Sequence, residues 1–219
     1  MKTKRKNVIT VAITYVLVLL ALLFVSWVNN IAENAAYALR LTLPIVAWLP
    51  MLAPVIFFML RDKETPEDIG FSKDNKLTQI LTGALVAGGS LTIFIVIPAL
   101  FGINMSYAGN MDILAILYRF VYMMLAVALV EEVIFRGYLF KKLLDISGTK
   151  WVAILASSAL FGLFHIWSGN PWQIVITAAI GLYWCVCRDK IKHCTVLSLI
   201  IAHALHNTIH PIIAAVFFG

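Results

Sequence analysis

Charge is what this sequence has least of. Only 13% of its 219 residues are Asp, Glu, Lys or Arg, about half the share of a soluble domain. With 62% hydrophobic residues and a mean hydropathy of +0.92, that scarcity excludes an ordinary soluble globule. Cysteine is scarce too, with Cys185, Cys187 and Cys194 bracketing residues 188–193. With His193 they have the residue types of a zinc site, but C-x-C followed by H-C lacks its paired spacing. They read as small apolar residues at a helix end. No internal repeat or low-complexity tract is present. No serine or cysteine is placed to act as a nucleophile, since Ser157 and Ser158 lack a base at helical spacing.

What is present is a series of long apolar runs, at 8–28, 41–60, 77–101, 113–144, 151–167, 171–187 and 194–218. A helix needs about 20 apolar residues to cross a ~30 Å hydrocarbon core, so these runs predict an all-α, polytopic transmembrane bundle of about seven spans. The first follows Lys2, Lys4, Arg5 and Lys6 in the manner of a secretory signal. It exceeds the usual signal core of about 7–15 residues and ends in Ser-Trp-Val-Asn-Asn with no small-residue cleavage site. It reads as a retained first span. The stretch 61–76, with Thr65-Pro66-Glu67, reads as a turn-containing loop, and residues 1–219 as one membrane domain.

Basic residues set the orientation. If the N-terminus is cytoplasmic and the spans alternate, the inner segments hold Lys2, Lys4, Arg5, Lys6, Arg61, Lys63, Lys73, Lys76, Lys141, Lys142, Lys150, Arg188, Lys190 and Lys192. That is fourteen of seventeen basic residues, and the outer connections 29–36, 102–112 and 168–170 carry none, as the positive-inside rule requires. The net charge of +6 therefore reflects topology and implies no nucleic-acid partner.

Ionisable groups at membrane depth are costly and mark function or pairing. Here they fall in three runs: Glu131, Glu132 and Arg136; then His165; then His203, His206, Asn207 and His210. At ~1.5 Å per helical residue, Glu131 lies ~15 Å from Lys141, His203 ~16 Å from Lys192 and His165 at most ~22 Å from Lys150. Antiparallel helices thus bring these groups to a similar depth, predicting one polar site near mid-membrane, open to the cytoplasmic side. Glu132 and Arg136 are spaced i, i+4 with the acid first, which predicts an ion pair. Glu131 points about 100° away with no basic partner at i+3 or i+4. Apolar burial favours the protonated form of such a carboxylate, which suits it to proton exchange. His203 and Asn207 share a helix face, whereas His206 and His210 read as helix–helix or interfacial groups.

Carboxylates and imidazoles gathered in this way fit hydrolysis. They either activate water directly or hold a divalent metal, zinc by ligand type, through Glu131, His165 and His203. Asn207 is placed to donate to a developing oxyanion.

The segments EEVIFRG (Glu131, Glu132, Arg136), FGLFH (Phe161, His165) and HALHN (His203, Asn207) resemble the three blocks of the CAAX-protease and bacteriocin-processing (Abi) family. That pattern is E-E-x-x-x-R, F-x-x-x-H and H-x-x-x-N/D on membrane helices. The resemblance covers about 111–211. It implies an intramembrane endopeptidase in which Glu131 and His165 activate water and His203 and Asn207 stabilise the oxyanion, with or without a catalytic metal. It further implies a bacterial plasma-membrane setting and a membrane-associated peptide or lipidated protein as substrate, in peptide maturation or bacteriocin immunity. The family's eighth helix is short or missing here. Two readings compete: a non-enzymatic immunity protein that binds a peptide toxin or its receptor, and a proton-coupled transporter. No repeat between halves supports the transporter, and a passive binder has no need of all four polar groups.

Overall fold

The computed structural model describes residues 2–103 and 111–218. These form seven helices and no strand among the described residues. We number them α1 (Lys2–Glu33), α2 (Tyr37–Asp62), α3 (Lys76–Leu100), α4 (Ile113–Ser147), α5 (Lys150–Ser168), α6 (Pro171–Lys190) and α7 (Val196–Phe218). Each grows from one of the apolar runs, most extending past it by a few residues, while α7 begins two residues inside its run. Six are long and apolar enough to cross a membrane, and α6 is the exception. Gln173, Thr177, Tyr183 and Trp184 dilute its hydropathy, and all but Tyr183 line an internal cavity. Most of the expected connection 102–112 lies outside the described residues.

Large apolar side chains cover the outside, with Leu85 at 78% and Val216 at 80% exposure. In water such a surface would drive association; in lipid it is the solvated face. The chain is a multi-pass integral membrane protein.

Ion pairs confirm that the helices alternate in direction. Lys6 at the start of α1 meets Asp62 at the end of α2 at 2.6 Å. Lys142 near the end of α4 meets Asp62 at 3.2 Å and Glu64 at 2.8 Å. Lys150 opening α5 meets Asp189 closing α6 at 2.7 Å. One end of the bundle, called the basic end below, therefore gathers these lysines. The loop 63–75 sits there, and its expected turn closes through Thr65 N and Oγ1 donating to Asp68 Oδ2 at 2.7 and 2.9 Å.

Packing is closest where glycine lets backbones approach. A Cβ on Gly83 of α3 would lie 2.4 Å from the Ser198 carbonyl of α7. One on Gly162 of α5 would lie 2.6 Å from the Ile174 carbonyl of α6. Such small-residue contacts join membrane helices, because lipid supplies no hydrophobic drive between them. Polar cross-links add to this: Tyr15 Oη donates to the Leu160 carbonyl at 3.0 Å, and Trp48 Nε1 to Tyr122 Oη at 2.9 Å.

Helix α4 is irregular where it matters. Two wide π-type stretches, Met123–Ala128 and Val133–Leu139, flank the regular turn Leu129–Glu132. π-Turns of this kind recur at functional sites, and these two reset the directions of side chains on either side of the paired glutamates. In α3 the wide turn Thr92–Val96 precedes Pro98. Pro98 has no N–H to offer the Phe94 carbonyl, and the helix re-pairs around that gap.

Candidate active site

Four helices build the site: α4 brings Glu131 and Glu132, α5 His165, α6 Trp184, and α7 His203 and Asn207. Glu131 is 2% exposed, and Glu132 and Arg136 are fully buried. The expected pair forms, with Arg136 Nη1 donating to Glu132 Oε1 at 3.0 Å. Arg136 also lies 3.8 Å above the Phe161 ring and 5.2 Å from that of Trp184. Aromatic faces thus stabilise the part of the guanidinium that no carboxylate reaches.

His203 stands between the two glutamates. Its Nδ1 lies 2.8 Å from Glu132 Oε1, and its Nε2 lies 3.7 Å from Glu131 Oε2. A carboxylate already paired with Arg136 accepts a hydrogen bond, so Nδ1 carries the proton. That leaves Nε2 facing an otherwise unpartnered Glu131 Oε2. Two ionised carboxylates beside one guanidinium leave a single negative charge, and one further proton shared by Glu131 and His203 cancels it. Neutrality is the arrangement that low-dielectric burial favours. The imidazole also rests on Trp184, with ring centroids 4.6 Å apart.

His165 ends the regular part of α5. Its Nδ1 lies 3.0 Å from the Phe161 carbonyl, four residues back. A carbonyl only accepts, so Nδ1 donates and Nε2 keeps its lone pair as a base. Phe161 and Phe164 pack edge-on against the ring at 5.0 and 5.4 Å. Phe161 therefore orients His165 through its backbone and supports Arg136 through its ring. Asn207 Nδ2 points at Met123 Sδ at 3.7 Å, a weak acceptor that holds this donor loosely.

Glu131, His165, His203 and Asn207 all line one cavity of about 540 Å³. Glu132 and Arg136 sit behind them and do not. Sequence reasoning left out several residues found here. His206 makes the helix–helix hydrogen bond expected of it, Nδ1 to Ser90 Oγ of α3 at 3.0 Å, and in addition lines the cavity. His210 lines it as well. From α6 come Gln173, Thr177 and Trp184, and from its N-cap Asn170. The available signal was polar residues recurring three or four positions apart in an otherwise apolar helix.

A catalytic zinc site needs about three protein ligands. Among the described residues no three His, Cys, Asp or Glu side chains form a group able to hold a metal ion. Glu131 and His203 face each other, but His165 does not complete a triad with them. The three cysteines are buried free thiols.

No curated protein and no solved structure matches the chain. The family model described as type II CAAX prenyl endopeptidase Rce1-like matches residues 112–209, which hold Glu131, His165, His203 and Asn207 of the cavity wall but not His210. Residues 112–209 of this multi-pass membrane chain are therefore similar to the Rce1-like type II CAAX prenyl endopeptidases, within the CAAX-protease and bacteriocin-processing family.

Proposed function

We propose that the protein is an intramembrane endopeptidase that hydrolyses a peptide bond in a membrane-associated peptide or lipidated protein. The observation that carries this reading is the meeting of Glu131, His165, His203 and Asn207 on one cavity wall deep within an apolar bundle. Glu131, aided by the lone pair of His165 Nε2, takes a proton from water as the oxygen attacks the scissile carbonyl carbon. The resulting oxyanion accepts hydrogen bonds from Asn207 Nδ2 and from His203, protonated at Nε2 by the shared proton. The proton held on Glu131 passes to the departing nitrogen as the C–N bond breaks. Glu132 and Arg136 hold His203 in place and balance charge.

Water activation is direct in this account, a reading supported by the lack, among the described residues, of three donors grouped to hold a metal ion. The setting we propose is a bacterial plasma membrane, with peptide maturation or bacteriocin self-protection as the biological role.

The test is peptide cleavage and metal content measured on one purified sample, wild type beside Glu131→Gln and His165→Ala. Cleavage that survives chelation and is lost in both variants is the expected result. Stoichiometric metal that disappears together with activity would replace direct activation with metal catalysis. A folded wild type that cleaves no member of a broad peptide panel would transfer the case to the immunity-protein reading.

A further inference from the structure

The cavity has a direction. From Glu131 and His203 its walls run away from the basic end of the bundle, and on α5 Phe161 lines it one turn nearer that end than His165. On α4 they pass from Glu131 to Val127, and on α7 from His203 through Asn207 to His210. On α6 they climb from Trp184 through Ile180, Thr177 and Gln173 to Asn170, in the short connection after α5. Helix α3 adds Phe94 and Ile95, close to its far end.

Toward the basic end the opposite holds. Directly beyond Glu132 on α4, Ile134, Phe135, Arg136, Tyr138 and Leu139 are all fully buried. Ser157 Oγ donates to the Phe135 carbonyl at 2.7 Å, and half-buried Arg188 donates to the Arg136 carbonyl. This layer forms a packed floor without a lining residue of the cavity below it. The lysines that set orientation lie beneath that floor, on the side the positive-inside rule assigns to the cytoplasm.

We infer that the peptide substrate reaches Glu131 from the extracytoplasmic side, descending the α6 wall past Asn170, Gln173 and Thr177. This rests on the peptidase reading above and reverses the cytoplasmic opening expected from sequence. Depth alone placed the groups near mid-membrane and could not say which way the packing closes. The wall suits an extended peptide. Amide and hydroxyl groups of Asn170, Gln173 and Thr177 offer partners to a backbone that must stay hydrogen-bonded at membrane depth. Ile176, Ile180 and Phe94 offer apolar surface for its side chains. The substrates that fit are peptides already translocated, or segments of membrane proteins that face outward.

The experiment is cysteine accessibility in intact cells with a membrane-impermeant maleimide. The three native thiols are buried, so wild type gives the background. Gln173→Cys and Asn170→Cys both lie on exposed positions at the mouth, and two variants guard against one failing to fold. Lys73→Cys, at a position 89% exposed on the basic end, reports the other side. Expected is labelling of Gln173→Cys or Asn170→Cys at least 10-fold above wild type in intact cells, with Lys73→Cys labelled only after permeabilisation. Labelling of the mouth only in inverted vesicles, or of neither mouth variant from either side, overturns the proposal. In a preparation that cleaves peptide, the Gln173 adduct should block cleavage by more than 10-fold, and unaltered cleavage would overturn the route. Labelling needs no turnover, so absence of cleavage throughout would count against the peptidase reading alone.

Discussion

Replacing Arg136 by methionine tests the charge balance of the site. The guanidinium is fully buried, 3.0 Å from Glu132 and 3.8 Å above the Phe161 ring. Methionine fills most of the volume but leaves Glu132 and Glu131 without a cation. Removing one partner of a buried pair costs about 3–5 kcal/mol, because the remaining charge is stranded. Loss of the desolvated cation–π contact accounts for up to about 2 kcal/mol of that. The second substitution Glu132→Gln removes the stranded charge while keeping an oxygen for His203 Nδ1. The double variant should therefore recover about 2–3 kcal/mol relative to Arg136→Met, so that the two changes do not add. Reversible unfolding in lipid–detergent mixtures, run as a double-mutant cycle, measures both numbers. If Arg136→Met unfolds within about 1 kcal/mol of wild type, or the two changes simply add, the four-group balance drawn here is wrong.

Other consequences are equally concrete. Asn207→Ala should lower kcat by about 10²–10³-fold with KM little changed, the cost of one oxyanion donor, as steady-state cleavage would show. Gly162→Val forces α5 off α6, since even its Cβ would meet the Ile174 carbonyl at 2.6 Å and the Ala178 Cβ at 2.7 Å. Overpacking of this kind costs about 1–3 kcal/mol, read as a lowered thermal midpoint, and activity should fall as the α6 wall moves. Lys142→Met should cost about 1.5 kcal/mol, the lower end for hydrogen bonds to charged groups. Its partners keep other cations, Asp62 through Lys6 at 2.6 Å and Glu64 through Lys141 at 3.2 Å. Denaturant unfolding of this variant should leave cleavage by the folded fraction unchanged.

The helices were legible because membrane solvation writes itself into composition: an apolar run long enough to span leaves little else to become. Even α6, the least apolar of them, was marked by its ends at Pro171 and Arg188. The Glu132–Arg136 pair was legible because a single helix fixes it. Contacts between helices were not. That one imidazole bridges both glutamates depends on how α7 packs on α4, and on the wide turns around Leu129–Glu132 that no proline announces. Trp184 beneath His203, Ser90 against His206 and the polar stripe of α6 likewise arise only once four helices are assembled. The direction of the cavity is of the same kind, set by which layer of side chains closes and which does not.

The most direct measurement is single-turnover cleavage by the protein in lipid nanodiscs, comparing wild type with Glu131→Gln after matching their thermal midpoints. Glu131 Oε2 has no hydrogen-bond partner of its own, so the amide should fold as well as the acid. The account predicts a loss of at least about 10²-fold, the lower bound for removing a general base, with peptide binding retained. Wild-type rates in a well-folded Glu131→Gln protein would contradict it.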